Sequence, residues 1–301
     1  MIYTVTFSPA IDYVVDLNRF EIGEINRTVQ EMAYPGGKGI NVSIVLANLG
    51  QYSVATGFLA GFTGQFIKDE LNKRGIKSGF IDVEGLTRIN VKIRAGKETA
   101  INGQGPHISD KEIEQLIRRL ERLTKDDILV ISGAVPSSLP SNIYELILAR
   151  IEDNGVTLVV DTTRDILLKT LKYHPLLVKP NKEELEEMFD VKINNNEELI
   201  ETANKLLALG AKNVIVSLGG DGALLVGEGL EPQLRKAPQG KVVNTVGAGD
   251  SLVAGFIDEY VNSNDIAKAF KKGIATGSAS AFSETLATRE EVEALLKQMD
   301  E

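Results

Sequence analysis

Apolar and polar positions along the chain follow two periods that take turns. Short, almost unbroken apolar runs stand at 2–7, 53–59, 127–132, 156–160, 176–179 and 213–218. Between them, apolar residues recur at helical spacing over 39–49, 64–74, 109–124, 139–153, 182–189 and 196–209. Runs such as DILVIS, VTLVV and NVIVSL show no polar alternation, which suits strands covered on both faces. Strands of this kind alternating with helices predict an α/β fold. Its central sheet is mostly parallel and wrapped by helices, with ligands outside the carboxyl ends of the strands.

Two stretches break this rhythm. Residues 12–34 alternate apolar and polar in YVVDL and then in TVQEMAY, and 87–102 (TRINVKIRAGKETAIN) read as two strands around a glycine-containing turn. Both predict half-exposed antiparallel ribbon. A small second sheet lying as a lid over the site is one inference; an edge hairpin without a role fits the same periodicity. After 245 the chain reads as mostly helical, and no repeat or low-complexity segment divides it.

Composition narrows the chemistry. The formal net charge is −9 with no offsetting basic run, which argues against nucleic acid or an anionic membrane as the main partner. An anionic small molecule stays open, because a pocket can be locally positive. Cysteine is absent and the two histidines, His107 and His174, lie far apart, so thiol chemistry is excluded and a zinc centre is not expected. No stretch approaches the ~18–20 apolar residues of a membrane helix. The N-terminus is not a basic segment followed by a long apolar run. A cytoplasmic protein is expected.

Four segments carry candidate chemistry. In 244–256, NTVGAGDSLVAGF, a strand-like VVN leads through a glycine-rich turn into a helical run. Free amides at such a helix start form an anion site, and Asp250 would sit in its first turn, ready to accept a proton from a hydroxyl. An aspartate there that only caps the helix reads equally well. PGGKGIN at 35–41 is another glycine turn before a helix, without the GxxxxGK[ST] spacing of a P-loop. In VKPNKEE at 178–184, Asn181 and Glu184 fit a capping box, and would also suit a nucleotide–Mg²⁺ complex met through water. SLGGDG at 217–222 joins two strand-like runs and reads as a hairpin turn.

Taken together and in this order, GGKGIN, KPNKEE, SLGGDGA and NTVGAGDS resemble the ribokinase-like sugar kinases, the phosphofructokinase B family, over nearly the whole chain. TFSPAID, TRINVKI and ETAINGQGP are most similar to the branch that phosphorylates fructose 1-phosphate, with tagatose-6-phosphate kinases as close relatives. The resemblance implies a three-layer α/β/α sandwich forming one kinase domain over 1–301, with a β lid at about 12–34 and 87–105. It implies ATP and Mg²⁺ as cofactors, fructose 1,6-bisphosphate as product, and a homodimer paired through the lid. Asp250 becomes the general base, and the amides of Gly247, Ala248 and Gly249 an anion hole. Asp12, Gly37, Lys38 and Asn41 fall on the sugar. Arg88, with Arg27 and Lys92, would neutralise the sugar's phosphate. Lys179, Asn181, Glu184, Ser217, Gly219 and Gly222 fall on the nucleotide side, Glu184 meeting the metal through water, and 275–284 would close around the adenine. The segment SGAVPSSL at 132–139 departs from the family's commoner Ser-Leu or Ser-Ile by a change conservative in size.

Other classes fit less well. A non-catalytic sensor on the same fold would be expected to lack Asp250 or the GAG amides. No GxGxxG follows the first strand, as a dinucleotide oxidoreductase requires, and no GxSxG elbow marks a serine hydrolase.

Overall fold

A computed structural model describes residues 1–300. The chain opens with β1 (Ile2–Thr6), β2 (Ala10–Asp16), β3 (Gln30–Gly36), α1 (Lys38–Leu49), β4 (Ser53–Ala60) and α2 (Gly61–Lys73). Four short or exposed strands follow: β5 (Lys77–Ser78), β6 (Ile81–Val83), β7 (Arg88–Ala95) and β8 (Lys97–Asn102). The middle runs α3 (Asp110–Leu120), β9 (Ile128–Ser132), α4 (Ile143–Ile151), β10 (Thr157–Asp161), α5 (Arg164–Thr170), β11 (Leu177–Val178) and α6 (Lys182–Phe189). Then come α7 (Asn196–Ala208), β12 (Asn213–Ser217), β13 (Ala223–Gly227), β14 (Leu230–Arg235), α8 (Ala248–Ser263), α9 (Ile266–Phe282) and α10 (Arg289–Gln298).

The larger sheet runs β14-β13-β12-β11-β10-β9-β1-β4-β5, with β6 beside β4. It is parallel from β12 to β5, and β13 and β14 close one edge as an antiparallel hairpin. Alternate residues of its strands enter two cores. Leu129, Ile131, Leu158, Val160, Val214 and Val216 pack with α3 to α7 on one face. Ile128, Val130, Val159, Ile215, Ala223 and Leu225 pack with α1, α8, α9 and α10 on the other. Both faces being covered is why these strands read as unbroken apolar runs.

The smaller sheet has the order β3-β2-β7-β8 and lies apart from the first. Its register sets Asp12, Val14, Met32, Tyr34, Lys92 and Arg94 on one face. The 12–34 ribbon is therefore only partly strand: β2 and β3 pair over seven residues each, and 17–29 between them is irregular and mostly exposed. The helix expected over 139–153 begins only at Ile143, because Pro136 and Pro140 stand in the preceding turns. Residues 242–244 are not a strand; the amides of Val243 and Asn244 bond to the carbonyl of Ala281 at the end of α9 instead. The helix α5 and strands β5 and β6 are too short to stand out by period.

Candidate active site

The parallel strands deliver their carboxyl ends to one rim. Ser8 follows β1, Gly133 follows β9, Asp161 ends β10, Lys179 follows β11 and Ser217 ends β12. Two helices start at the same rim. Gly37 caps α1 at φ 120°, where a Cβ would lie 2.6 Å from the Thr6 methyl, and Gly247 caps α8 at φ 80°, with Leu286 Cδ2 2.6 Å from the same point. Only glycine fits both demands, a left-handed backbone and an approach this close. These two turns aim Lys38 and Asn41 of α1 at Asp250 of α8.

Asp250 is 4% exposed. Asn41 Nδ2 donates to its Oδ2 at 2.8 Å and Lys38 Nζ to its Oδ1 at 3.3 Å. Lys38 Nζ also donates to Asp161 Oδ2 at 2.9 Å, and Lys179 Nζ stands 3.3 Å from Asp161 Oδ1. The four charges thus alternate in sign, Lys179, Asp161, Lys38, Asp250. The two carboxyl groups respond oppositely. Burial raises Asp250, Lys38 opposes this, the Asp161 charge adds to it, and the outcome is a carboxyl above its usual range. Burial acts on Asp161 too, but the Lys179 and Lys38 ammonium groups outweigh it and hold it below that range. Burial lowers Lys38, yet the two aspartates more than compensate and keep it charged.

A cleft of about 310 Å³ opens beside this cluster, between the smaller sheet and α1. Asp12, Tyr34, Lys92 and Arg94 line one wall, and Asn41, Asn48, Val246 and Leu286 the other. Asn90 Nδ2 donates to Asp12 Oδ1 at 3.0 Å, and Lys92 Nζ is 3.6 Å from Asp12 Oδ2. Arg88 occupies a neighbouring niche with Ser8, Gln104, Gly105 and Ser138. Its Nη2 donates to the Ser8 carbonyl at 2.9 Å, while its buried Nε has no partner. Arg27 lies exposed in the 17–29 segment, outside the residues lining this cleft.

The nucleotide-side candidates gather on β11, β12 and the start of α6. Asn181 and Ser217 are bridged backbone to backbone, with the Ser217 amide bonding the Pro180 carbonyl at 3.0 Å. Asn181 and Glu184 form a complete capping box, so their pairing has a structural role whatever else they bind. Gly222 turns the β12–β13 hairpin, and a Cβ there would meet the Arg235 carbonyl oxygen at 1.9 Å. That packing alone explains the glycine.

The family model for pfkB family carbohydrate kinases matches residues 5–292. The chain belongs to this family. It is 45% identical to the 1-phosphofructokinase of Bacillus subtilis, covering 99% of this chain and 98% of that one. The D-tagatose-1-phosphate kinase of Bacillus licheniformis is 37% identical, over 95% and 94%. The crystal structure of Escherichia coli phosphofructokinase-2 in complex with substrates and products superposes with a TM-score of 0.93 at 26% identity, covering 100% of this chain and 99% of that one. The fold is therefore the ribokinase-like α/β/α sandwich, the protein is a sugar kinase, and ATP use follows from the family.

Two site residues of this pfkB kinase went unread in the sequence. Asp161 ends VTLVVD, and an aspartate at the carboxyl end of a fully buried strand was the signal available. Asn90 sits within TRINVKI, where only the β2–β7 register, pairing it with Asp12, reveals its place. Among the described residues no three histidine or carboxylate side chains converge on a metal position. Glu184, the carboxylate expected to reach a nucleotide-borne metal through water, accepts from the Asn181 amide at Oε2. Among the described residues, no helix is long and apolar enough to cross a membrane. Gly247→Ala should destabilise the fold by about 1–2 kcal/mol, since alanine dislikes the left-handed region. By displacing the turn it should also lower kcat by at least about tenfold, the effect of misplacing reacting groups. Urea unfolding and turnover of the variant check both.

Proposed function

We propose that this kinase transfers the γ-phosphoryl group of ATP to the 6-hydroxyl of fructose 1-phosphate, giving fructose 1,6-bisphosphate. The observation that carries the reading is the buried Asp250 carboxylate at the start of α8, held by Asn41 and Lys38 at the mouth of the cleft. The 45% identity to a 1-phosphofructokinase over the full chain supports the substrate. Asp250 would take the hydroxyl proton, and the amides of Gly247, Ala248 and Gly249 would receive the phosphoryl oxygens, the Ala248 amide giving up its 3.3 Å bond to the Thr245 carbonyl. Asp12, with Asn90 and the Gly36–Gly37 turn, would hold sugar hydroxyls. Arg88 would bind the 1-phosphate, with Lys92 nearby; Arg27 is left out of this chain's site. Lys179, Asn181, Ser217 and Gly219 would line the nucleotide, and 275–284 would border the adenine. Mg²⁺ bound to the nucleotide would neutralise its phosphates, with Glu184 reaching it through water.

On this reading residues 1–301 work as one kinase domain in the cytoplasm, and the smaller sheet is a lid that excludes water. Its face away from the cleft carries Ile89, Val91 and Ile101, with Ile89 and Ile101 39% and 57% exposed. Such a face on an open-edged sheet supports a homodimer paired lid to lid.

The test is ADP release with Mg-ATP and, separately, fructose 1-phosphate, tagatose 1-phosphate, tagatose 6-phosphate and fructose 6-phosphate. We expect kcat/KM to favour fructose 1-phosphate by at least about tenfold, the scale of a single misplaced contact. Preference for tagatose 1-phosphate would keep the phosphate at Arg88 and change the sugar. Preference for a 6-phosphate would overturn the placement, and no turnover at all would leave a sensor.

A further inference from the structure

The reading above gives Asp250 the proton and Arg88 the substrate phosphate, and leaves Asp161 without a task. It is nevertheless held on both sides: 4% exposed, with one oxygen 2.9 Å from Lys38 and the other 3.3 Å from Lys179. Both ammonium groups stand at the turn that opens α8. A Cβ on Gly249 would be 3.2 Å from Lys179 Nζ, and Lys38 Nζ is 3.3 Å from Asp250. The two lysines differ in freedom. The side chain of Lys179 is 7% exposed, whereas that of Lys38 is 42% exposed, its stem passing over the bare backbone of Gly133. Lys179 is fixed; Lys38 has room to move.

We propose that Asp161 is a positioning residue that holds Lys38 beside Asp250, and that Lys38 is an exchangeable counter-ion, paired with the base before transfer and with the phosphoryl group during it. This rests on the assignment of Asp250 as base. In the transfer, the sugar hydroxyl oxygen bonds to the γ-phosphorus and the bond from phosphorus to the ADP oxygen breaks, its electron pair leaving with ADP. The hydroxyl proton passes to Asp250. Asp250 therefore loses its negative charge as charge gathers on the phosphoryl oxygens and the departing ADP. One ammonium group between the two places serves both, and the net charge around it stays constant. The anchor explains why a half-exposed lysine stays in place: Asp161, itself neutralised by Lys179 on its other side, leaves Lys38 the spare positive charge that the base requires. The groups facing Asp250 are Lys38, Lys179, Asp161 and Asn41, so the effect of each is separable by substitution.

The experiment is the pH profile of kcat/KM for the full-length protein with Lys38→Met, Lys38→Arg, Asp161→Asn and the Lys38→Met/Asp161→Asn double variant. Lys38→Met is expected to move the acid limb up by about one pH unit or more, as losing a cation at this distance from a carboxylate does. It should also lower kcat by about 10²-fold, the scale of losing one charge-stabilising donor. Lys38→Arg should restore the acid limb and recover part of the rate. The double variant should be within about threefold of the worse single variant, because residues acting as one unit are not additive. An acid limb unmoved in Lys38→Met overturns the counter-ion role, and additive losses overturn the positioning role. Asp161→Asn leaves Lys179 buried without its carboxylate; should that variant fail to fold, the two Lys38 variants still decide the counter-ion role. Asp250→Asn separates the layers: near-native turnover there removes the base assignment itself, whereas an inactive Asp250→Asn beside an unmoved Lys38→Met limb removes only this inference.

Discussion

Asp250→Asn is expected to lower kcat by about 10²–10⁴-fold, the usual contribution of a positioned general base, while KM for both substrates changes little. The amide keeps the size of the side chain and its contact with Asn41, so binding geometry survives and proton acceptance is lost. The same variant should be at least as stable as the parent at neutral pH. The folded-state carboxyl of Asp250 is raised above its unfolded value, so the folded chain holds this proton more tightly. Its contribution to stability is therefore present at low pH and lost as pH rises through the folded value. Above that value an ionised Asp250 costs stability, and asparagine removes the cost. Loss of turnover with an unchanged or higher Tm is the expected pair of results. Near-native turnover would refute the base; a Tm several degrees lower would show that its ion pair with Lys38 is a structural need.

Arg88→Ala should raise KM for the sugar phosphate by about 10–100-fold, the worth of a lost charge-assisted hydrogen bond or two, with a much smaller effect on kcat. Its side chain enters the Ser8–Gln104–Ser138 niche with Nε unpaired, and burial lowers its pKa despite the nearby charge of Asp12. A desolvated guanidinium with an open donor is suited to a dianion that offers two oxygens. Arg88→Lys should fall between, since it keeps the charge but loses the fork. Initial-rate kinetics at saturating ATP separate the two parameters, and an unchanged KM would remove Arg88 from the substrate site.

The larger sheet was legible because its strands are buried on both faces. DILVIS, VTLVV and NVIVSL appear as β9, β10 and β12 almost residue for residue. The two glycine turns were legible too, since Gly37 and Gly247 carry the positive φ and tight packing that such turns announce. What stayed hidden depends on three-dimensional register. Asp161 is one aspartate among many until β10 is set beside β9 and β11, which brings its carboxyl between lysines 123 and 18 residues away along the chain. The resemblance puts Lys38 on the sugar, and the sequence carries no record that its four-carbon stem also reaches Asp161 and Asp250. The ribbon within 12–34 was legible by its alternation, since YVVDL and TVQEMAY fall largely within the antiparallel pair β2 and β3.

The hydrogen bond from Lys38 to Asp250 spans 212 positions of the chain. During synthesis the first lysine, Asp161 and the second lysine emerge long before the turn at 247–250, so a nascent chain holds its cations and lacks its base. Helix α8 packs on α1 across the same contact, which ties completion of the core to completion of the chemistry. With Asp250 as the proposed base, a chain that has not reached residue 250 lacks the group that would activate the hydroxyl.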